Sequence, residues 1–208
     1  MSRAEKPSLM RLGGTILAGL LFVFAWHVEA RTIKVLGGTA RGKYAGTAMD
    51  NSFKGGYLFG AGFESGSKPI SYEMDVLYFL KTNAYPSRSW SYEMREVSLP
   101  VMARFKPFSG ALGFFIAAGV EIALILSHKQ YGWPERDGMS WDATDFTRKL
   151  DYGLVFGAGL DFTFWKISLG IEGRYHHGLA NTTRFQSDGG YEFNTREFVV
   201  LAALKLDL

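Results

Sequence analysis

The chain ends in the stretch Phe198-Val-Val-Leu-Ala-Ala-Leu-Lys-Leu-Asp-Leu208, whose side chains alternate in character. The even-numbered positions are all apolar, whereas Lys205 and Asp207 fall on odd-numbered positions between them. Successive side chains of a β-strand point to opposite faces, so the residues of one face recur with a period of two. The pattern therefore predicts a terminal strand with one continuous apolar face and a second face that carries charge.

The same alternation recurs in seven other segments of the chain. It is clear in five of them: Phe53–Glu64, Ile70–Lys81, Phe114–Leu126, Tyr152–Phe164 and Ile167–His176. It is weaker in Glu96–Lys106 and in Ile33–Ala40, and we predict the latter as a strand mainly because closure requires an even number of strands. Together the segments predict eight strands.

Two irregularities are expected in the fourth predicted strand. Pro100 lies in its middle and cannot donate a backbone hydrogen bond, so we expect a β-bulge or a kink there. Tyr92 and Met94 are out of phase with Val97, which predicts an extra residue near Arg95.

The predicted connections alternate in length along the chain. The first, third, fifth and seventh are long and cover residues 41–52, 82–89, 127–149 and about 178–192. The second, fourth and sixth are short and cover residues 65–69, 107–112 and 165–166. Bacterial outer-membrane barrels have short turns on the periplasmic side and longer loops outside. Both chain ends are therefore expected on the short-turn side.

The placement of charge indicates which face of the sheet meets lipid. Charged residues within strands, among them Glu73, Arg104 and Glu172, share the face opposite the broad aromatic and aliphatic one. A soluble lipocalin-like barrel would place its apolar residues inside, and alternation alone does not separate the two arrangements. The charges favour an all-β fold, an eight-stranded antiparallel up-and-down transmembrane β-barrel with its apolar residues toward lipid.

Residues 1–30 predict a cleaved signal peptide. Three basic residues precede an apolar stretch over Thr15–Trp26, and Val28-Glu29-Ala30 fits a small-x-small cleavage pattern. The apolar stretch is about a dozen residues, shorter than the roughly 20 that a spanning helix needs, although an uncleaved anchor stays an alternative. We expect a single barrel domain over residues 31–208.

Composition excludes several classes of protein. The chain has no cysteine, which excludes disulfides and cysteine-based zinc sites. Without residues 1–30, basic residues outnumber acidic ones by only two and are spread along the chain, so we expect no nucleic-acid partner. No apolar run of 18 residues follows the signal segment, which excludes a helical membrane protein.

Several of these segments also resemble a known family. The stretch from Tyr92 to Pro107, with its Leu99-Pro100 element, and the following Phe114–Glu121 resemble the fourth and fifth strands of the PorT-like outer-membrane β-barrel family. Residues 53–64 with 70–81, and 151–162 with 168–179, fit hairpins of that family. The resemblance implies an eight-stranded barrel in the outer membrane of a Gram-negative envelope, and it implies no reaction. The chain departs from the usual bacterial ending, because Leu208 stands where a terminal Phe or Trp is common.

Charged residues on the inner face form the main candidate constellation. We predict a lumen charge network made of Lys54, Glu73, Asp75, Arg104, Glu121, Asp161, Glu172, Arg174 and Lys205. An eight-stranded barrel is just wide enough for its own side chains, and buried charges must be paired to be tolerated. We therefore interpret the network as structural, with Arg104 and Arg174 bridging the acids, rather than as a proton or ion path.

Serine and histidine residues raise an enzymatic alternative, a lipid A-modifying hydrolase at the outer rim. Ser127 and His128 are neighbours on a strand and point opposite ways, so they cannot share a proton unless the loop bends. His176 and His177 with a loop acid such as Asp142 give only an unspecific metal pattern. We expect no catalytic residue, no metal and no cofactor.

The third long loop is the best candidate for a contact surface. It contains Tyr131, Trp133, Trp141 and Phe146, with basic and acidic residues in balance. Exposed aromatic groups often mark contact sites, although similar rings also rest on lipid headgroups. We expect a monomer with a structural or surface-interaction role, whose partners are outer-membrane lipid and an extracellular or envelope protein. A narrow pore for small solutes is a third alternative.

Overall fold

A computed structural model describes residues 32–45, 52–85, 90–108, 110–131, 140–180 and 194–208. The strands are β1 (Thr32–Ala45), β2 (Ser52–Ser67), β3 (Ile70–Tyr85), β4 (Trp90–Phe105), β5 (Leu112–Tyr131), β6 (Ser140–Asp142), β7 (Leu150–Phe164), β8 (Ile167–Gly178) and β9 (Asn194–Asp207). A single 3-10 turn over Thr144–Phe146 follows β6. The predicted signal peptide lies outside the described residues. Among those described, no helix is both long and apolar enough to cross a membrane.

The eight long strands form one closed antiparallel barrel in the described part of the chain. Consecutive long strands are paired with each other, including β4 with β5 and β5 with β7, and β1 is paired with β9. No long strand is therefore left with a free edge. The ring closes between the first and last strands, where Thr32 is opposite Asp207. The remaining strand is the short β6, which pairs only with the end of β5 in the described part of the chain. The eight-stranded barrel predicted from the alternation is confirmed.

Side-chain exposure follows the predicted alternation. Along β9, buried and exposed residues alternate from Thr195 to Leu206. The exposed residues of all eight long strands are mainly aliphatic and aromatic, and Ile171 on β8 is 67% exposed. The opposite face is buried and contains the charges, with Asp75 and Arg104 both fully buried. The prediction that apolar residues face outward and charges face inward is therefore confirmed.

The short connections, the start of β1 and the end of β9 lie together at one end of the barrel. Two of these connections are residues 68–69 and 165–166, and Thr32 is opposite both Glu64 near the first turn and Asp207. The third connection is shorter than predicted, only 86–89, because β3 and β4 continue past the predicted strand ends. At the short-turn end, Phe164 and Trp165 are among the most exposed residues, as expected for rings at a membrane interface.

The two irregularities predicted in β4 are only partly present. Pro100 causes no bulge, because the register of β4 against β3 is the same on either side of it, and Pro100 is paired with Glu121 of β5. The predicted bulge at Pro100 was therefore wrong. The β4–β5 register does shift between Arg95 and Glu96, but their partners are Ser127 and Ile125, so the extra residue is in β5.

Candidate functional site

Ten charged side chains meet inside the barrel near its short-turn end, and we call them the balanced cluster. Its members are Lys34, Glu64, Glu73, Asp75, Arg104, Lys106, Asp161, Glu172, Arg174 and Lys205. They come from β1, β2, β3, β4, β7, β8 and β9 and the residue after β4, because each strand turns the same alternate face inward. Five are basic and five are acidic, so the cluster carries no net charge when all are ionised.

Arg174 makes four side-chain hydrogen bonds within the balanced cluster. Its guanidinium lies 2.6 Å from Glu73 and 2.8 Å from Asp75, both on β3 across the lumen. It also donates from Nε to Glu172 on its own strand at 2.8 Å. Charged hydrogen bonds of this length are about twice as strong as neutral ones. Arg174 therefore links β8 to β3 through the barrel interior.

Arg104 makes the second bridge. Its Nη1 lies 2.8 Å from Glu64 and 2.9 Å from Glu73, so it connects β4 with β2 and with its neighbour β3. Its guanidinium carbon also lies 3.5 Å from the centre of the Phe115 ring on β5. A cation at this distance from an aromatic face is attracted by the ring's quadrupole. Arg104 is thus surrounded by favourable partners on several sides.

Lysine side chains complete the balanced cluster. Lys34 lies 2.7 Å from Glu73 and 2.8 Å from Asp75, which brings β1 into the cluster. Lys205 donates to both carboxylate oxygens of Asp161 at 2.7 and 2.9 Å. Because every carboxylate of the cluster has a basic partner, the cost of burying these charges is offset by pairing.

Glycine residues on the inner face provide the space that these charged groups occupy. A Cβ added to Gly62 would collide with the carboxylate of Asp75. At Gly157 it would lie 2.8 Å from Glu172, and at Gly170 it would lie 2.7 Å from Asp161. Larger residues at these positions would therefore displace the paired acids.

A second group of charges lies inside the barrel toward the long-loop end, and we call it the acidic cluster. It consists of Lys81, Glu96, Glu121, Asp151, His176 and Glu197. Lys81 lies 2.5 Å from Glu96 and 2.7 Å from Glu197. Asp151 accepts a hydrogen bond from Thr195 at 2.9 Å. Acidic residues outnumber basic ones in this cluster, unlike in the balanced cluster.

Serine, glutamate and histidine meet in the acidic cluster, but in an order that does not activate the serine. Ser98 donates its hydroxyl proton to Glu121 at 2.6 Å, and Nδ1 of His176 lies 2.8 Å from the same oxygen. In a catalytic triad the histidine lies between the nucleophile and the acid. Here the acid lies between the other two. Among the described residues, no group of histidine and acidic side chains could hold a metal ion.

The third long loop, residues 132–149 between β5 and β7, is attached at its base to His128. The His128 N–H donates to Oγ1 of Thr144 at 2.9 Å, and the His128 carbonyl accepts from the N–H of Ala143 at 2.8 Å. Thr147 donates its hydroxyl proton to the Ala143 carbonyl at 2.9 Å, so His128 must be the donor in its 2.7 Å contact with Thr147. We call this arrangement the His128 clamp.

Asp142 stabilises the same part of the third long loop. Its carboxylate accepts a hydrogen bond from the Thr144 N–H at 2.9 Å. Hydrogen bonds from the side chain and the backbone of Thr144 hold the pKa of Asp142 below its usual value. Asp142 is therefore ionised at neutral pH and keeps this turn in place.

The structure brings together most of the residues predicted for the lumen network. Glu73, Asp75, Arg104, Asp161, Glu172, Arg174 and Lys205 are in the balanced cluster. Glu121 lies apart from them, in the acidic cluster. The side chain of Lys54 lies outside the described part of the structure, as does the whole of Trp133. Tyr131 is 36% exposed at the end of β5, whereas only the backbone of Trp141 and Phe146 is described.

Several members of both clusters are not in the predicted lumen network. Glu64, Lys81 and Glu96 lie on the polar side of their alternating segments, so the alternation contains the signal that places them in the lumen. Lys34 was missed because its segment alternates poorly: Leu36 and Ala40, which share its face, are apolar and pack inside the barrel. The lumen has a charged part and an apolar part. A strand that lines both parts therefore shows no clean alternation of polar and apolar residues.

Solved structures of known barrels resemble this one. The structure of Neisserial surface protein A has a TM-score of 0.56 at 11% identity, covering 85% of this chain and 97% of that one. Ail, the attachment invasion locus protein of Yersinia pestis, has a TM-score of 0.48 at 9% identity, covering 85% and 99%. The outer membrane enzyme PagL has a TM-score of 0.48 at 12% identity, covering 84% and 99%. At 11% identity, the likeness to Neisserial surface protein A indicates a shared fold only.

The sequence itself matches a family of such barrels. No curated protein matches it. Residues 33–184, most of the chain, match the family described as outer membrane protein beta-barrel domain. The narrower resemblance to PorT-like barrels stays a prediction. The chain therefore belongs to the outer membrane protein beta-barrel domain family, and it is a small eight-stranded barrel of the outer membrane.

Proposed function

We propose that this barrel is a non-conducting, non-enzymatic scaffold that holds its third long loop as a contact surface for an extracellular or envelope protein. The observation that carries the proposal is the His128 clamp, which fixes the base of that loop. A surface that is ordered before binding loses less conformational entropy when a partner binds. Residues 140–149 of the loop thus form a prepared surface rather than a loose connection.

The length of β5 supports the same conclusion. β5 continues beyond its pairing with β7, which ends at Leu124, and is paired with β6 as far as Tyr131. On its other side β5 is paired with β4, where Ser91 is opposite Tyr131. The sheet therefore extends from one side of the barrel through β3, β4, β5 and β6, and this extension supports the loop.

The balanced cluster argues against a pore. Arg174 and Arg104 cross the lumen to carboxylates on other strands, and both are almost completely buried. Side chains that fill the interior of an eight-stranded barrel leave no aqueous path. We expect the purified protein to show conductance near zero in planar bilayers. Stable single-channel steps from the pure protein would contradict this part of the proposal.

The order of the groups in the acidic cluster argues against the lipid A hydrolase. The Ser98 hydroxyl donates its one hydrogen bond to Glu121 and none to His176, so His176 is not placed to act as its base in this arrangement. Mass spectrometry of lipid A from cells that overproduce the protein should show the same species as in cells without it. A new deacylated species that disappears in a Ser98→Ala variant would favour the enzyme instead.

The contact itself is tested by cross-linking in intact cells. A photo-reactive amino acid is placed at Tyr131 or Ser140 on the extension of β5 and β6, or at Phe164 at the opposite end as the matched control. We expect a discrete protein adduct from the first two positions and none from Phe164. The adduct should be lost when residues 132–139 are deleted. If none of the extension positions gives an adduct, the contact role is wrong.

A further inference from the structure

The outer wall of β8 and β9 is layered from one end of the barrel to the other. Leu169 and Leu204 are paired across the two strands and are 60% and 50% exposed. Further toward the long-loop end, the rings of Tyr175 and Phe198 are paired with centroids 4.9 Å apart. Aromatic rings at this position mark the boundary between the hydrocarbon and the headgroups in outer-membrane barrels.

Basic residues lie level with this aromatic layer and immediately beyond it. Arg196 precedes Phe198 on the same face of β9 and is opposite His177 of β8. Arg41 of β1 is opposite Phe198 and is exposed on the outer face. Arg41 and Arg196 are thus diagonal neighbours on one face of paired strands, a relation that places residues roughly 7–8 Å apart, with their Cβ atoms somewhat closer. Two long side chains at that spacing can reach one ligand together.

Neither arginine has an acidic partner among the described residues. The carboxylates nearest in sequence on these strands, Glu172 and Glu197, are buried in the lumen on the other side of the sheet. The Nε atom of Arg196 is buried and has no hydrogen-bond partner in the described part of the chain. On the opposite wall, by contrast, the exposed Arg95 is paired with Glu93 at 2.8 Å. On β1 and β9, therefore, the outward-facing positive charge of Arg41 and Arg196 is not balanced by an acid among the described residues.

We propose that Arg41 and Arg196 bind the phosphorylated headgroup of a glycolipid in the outer leaflet. Long basic side chains next to a membrane-spanning surface extend to the depth of the headgroups while their stems stay on apolar surface. The planar guanidinium group donates two parallel hydrogen bonds to phosphate oxygens, which suits two arginines around one phosphate. The barrel thus has a lipid-selective wall, separate from the third long loop.

Binding of purified lipids tests the proposal. Native mass spectrometry of the protein in detergent micelles is performed with diphosphorylated lipid A, dephosphorylated lipid A or inorganic phosphate. The double variant Arg41→Gln/Arg196→Gln is compared with Lys68→Gln/Lys166→Gln, which removes two exposed charges from turns at the other end. We expect about tenfold weaker binding of diphosphorylated lipid A by the first variant and no change in the second. Dephosphorylated lipid A should bind the unaltered protein about as weakly.

Three results would overturn the proposal. The first is that both double variants bind diphosphorylated lipid A equally well. The second is that the unaltered protein binds the two lipids equally well. The third is that inorganic phosphate displaces the lipid completely at equal concentration, since that would indicate a site for free phosphate. A shift of the folded band in unboiled gel electrophoresis shows whether each variant folds. If the double Gln variant does not fold, the variant Arg41→Lys/Arg196→Lys is used instead. It keeps both positive charges but loses the parallel N–H donors of the guanidinium groups, so it should bind diphosphorylated lipid A severalfold more weakly.

Discussion

The guanidinium carbon of Arg104 lies 3.5 Å from the centre of the Phe115 ring, and both residues are buried inside the barrel. The ring lies on one side of the charge, and the carboxylates of Glu64 and Glu73 are within 2.9 Å of it. The arrangement replaces the water that an isolated guanidinium would need. It also means that removal of the arginine leaves several groups without a partner at once.

Replacement of Arg104 by alanine should destabilise the barrel by about 3–5 kcal/mol, because it leaves buried carboxylates uncompensated. The measurement is urea unfolding in detergent micelles. The matched control is Arg95→Ala, since Arg95 is an exposed arginine of the same strand that is paired only with Glu93, and its unfolding midpoint should stay within error. An unchanged midpoint for Arg104→Ala would show that the pairing in the lumen contributes nothing to stability.

Lys205 and Asp161 should be coupled in a double-mutant cycle. Lys205→Met leaves Asp161 without its two shortest hydrogen bonds, whereas the double variant Lys205→Met/Asp161→Asn removes the stranded charge as well. We expect the double variant to be more stable than the single Lys205→Met, with a coupling energy of roughly 1–3 kcal/mol. Additive effects in the same unfolding assay would mean that the two groups do not interact.

Gly62 should not tolerate a methyl group. Gly62→Ala places a carbon against the Asp75 carboxylate, so we expect a loss of roughly 1–3 kcal/mol from overpacking. Gly37→Ala is the control, because a Cβ at Gly37 would have no atom within 4 Å. Folding yield and urea midpoint are compared for the two variants. Similar behaviour of both would indicate that the lumen adjusts freely around the paired acids.

Loss of the Thr147 hydroxyl should loosen the third long loop without affecting the barrel. Thr147→Val removes the partner of both His128 and the Ala143 carbonyl. The loss of two hydrogen bonds of about 1 kcal/mol each raises the open population roughly thirtyfold, and cleavage of the loop by protease on intact cells should accelerate accordingly. Thr163→Val, which loses a bond to Ser168 near the opposite turn, should leave that rate unchanged. Equal cleavage rates in the two variants would show that the His128 clamp does not hold the third long loop in place.

The alternation on single strands was sufficient to predict the barrel and its two faces. Residues such as Leu204 and Lys205 differ in character at neighbouring positions, and the geometry of an extended chain alone sends them to opposite sides. The register shift near Arg95 was visible for the same reason, although the pattern of β4 could not show that the extra residue lies in β5. Pro100 was misjudged because the ladder can omit a hydrogen bond and keep its register.

The sequence by itself determined which residues face lipid and which face the lumen, because that choice depends only on the period of a strand. The tertiary structure decided which charges meet. Arg174 binds Glu73, which is 101 residues away in the chain, and Lys34 joins them from a strand with no clear polar pattern. Such pairings require the closed ring and its register, since only closure brings the inner faces of distant strands within the reach of a side chain.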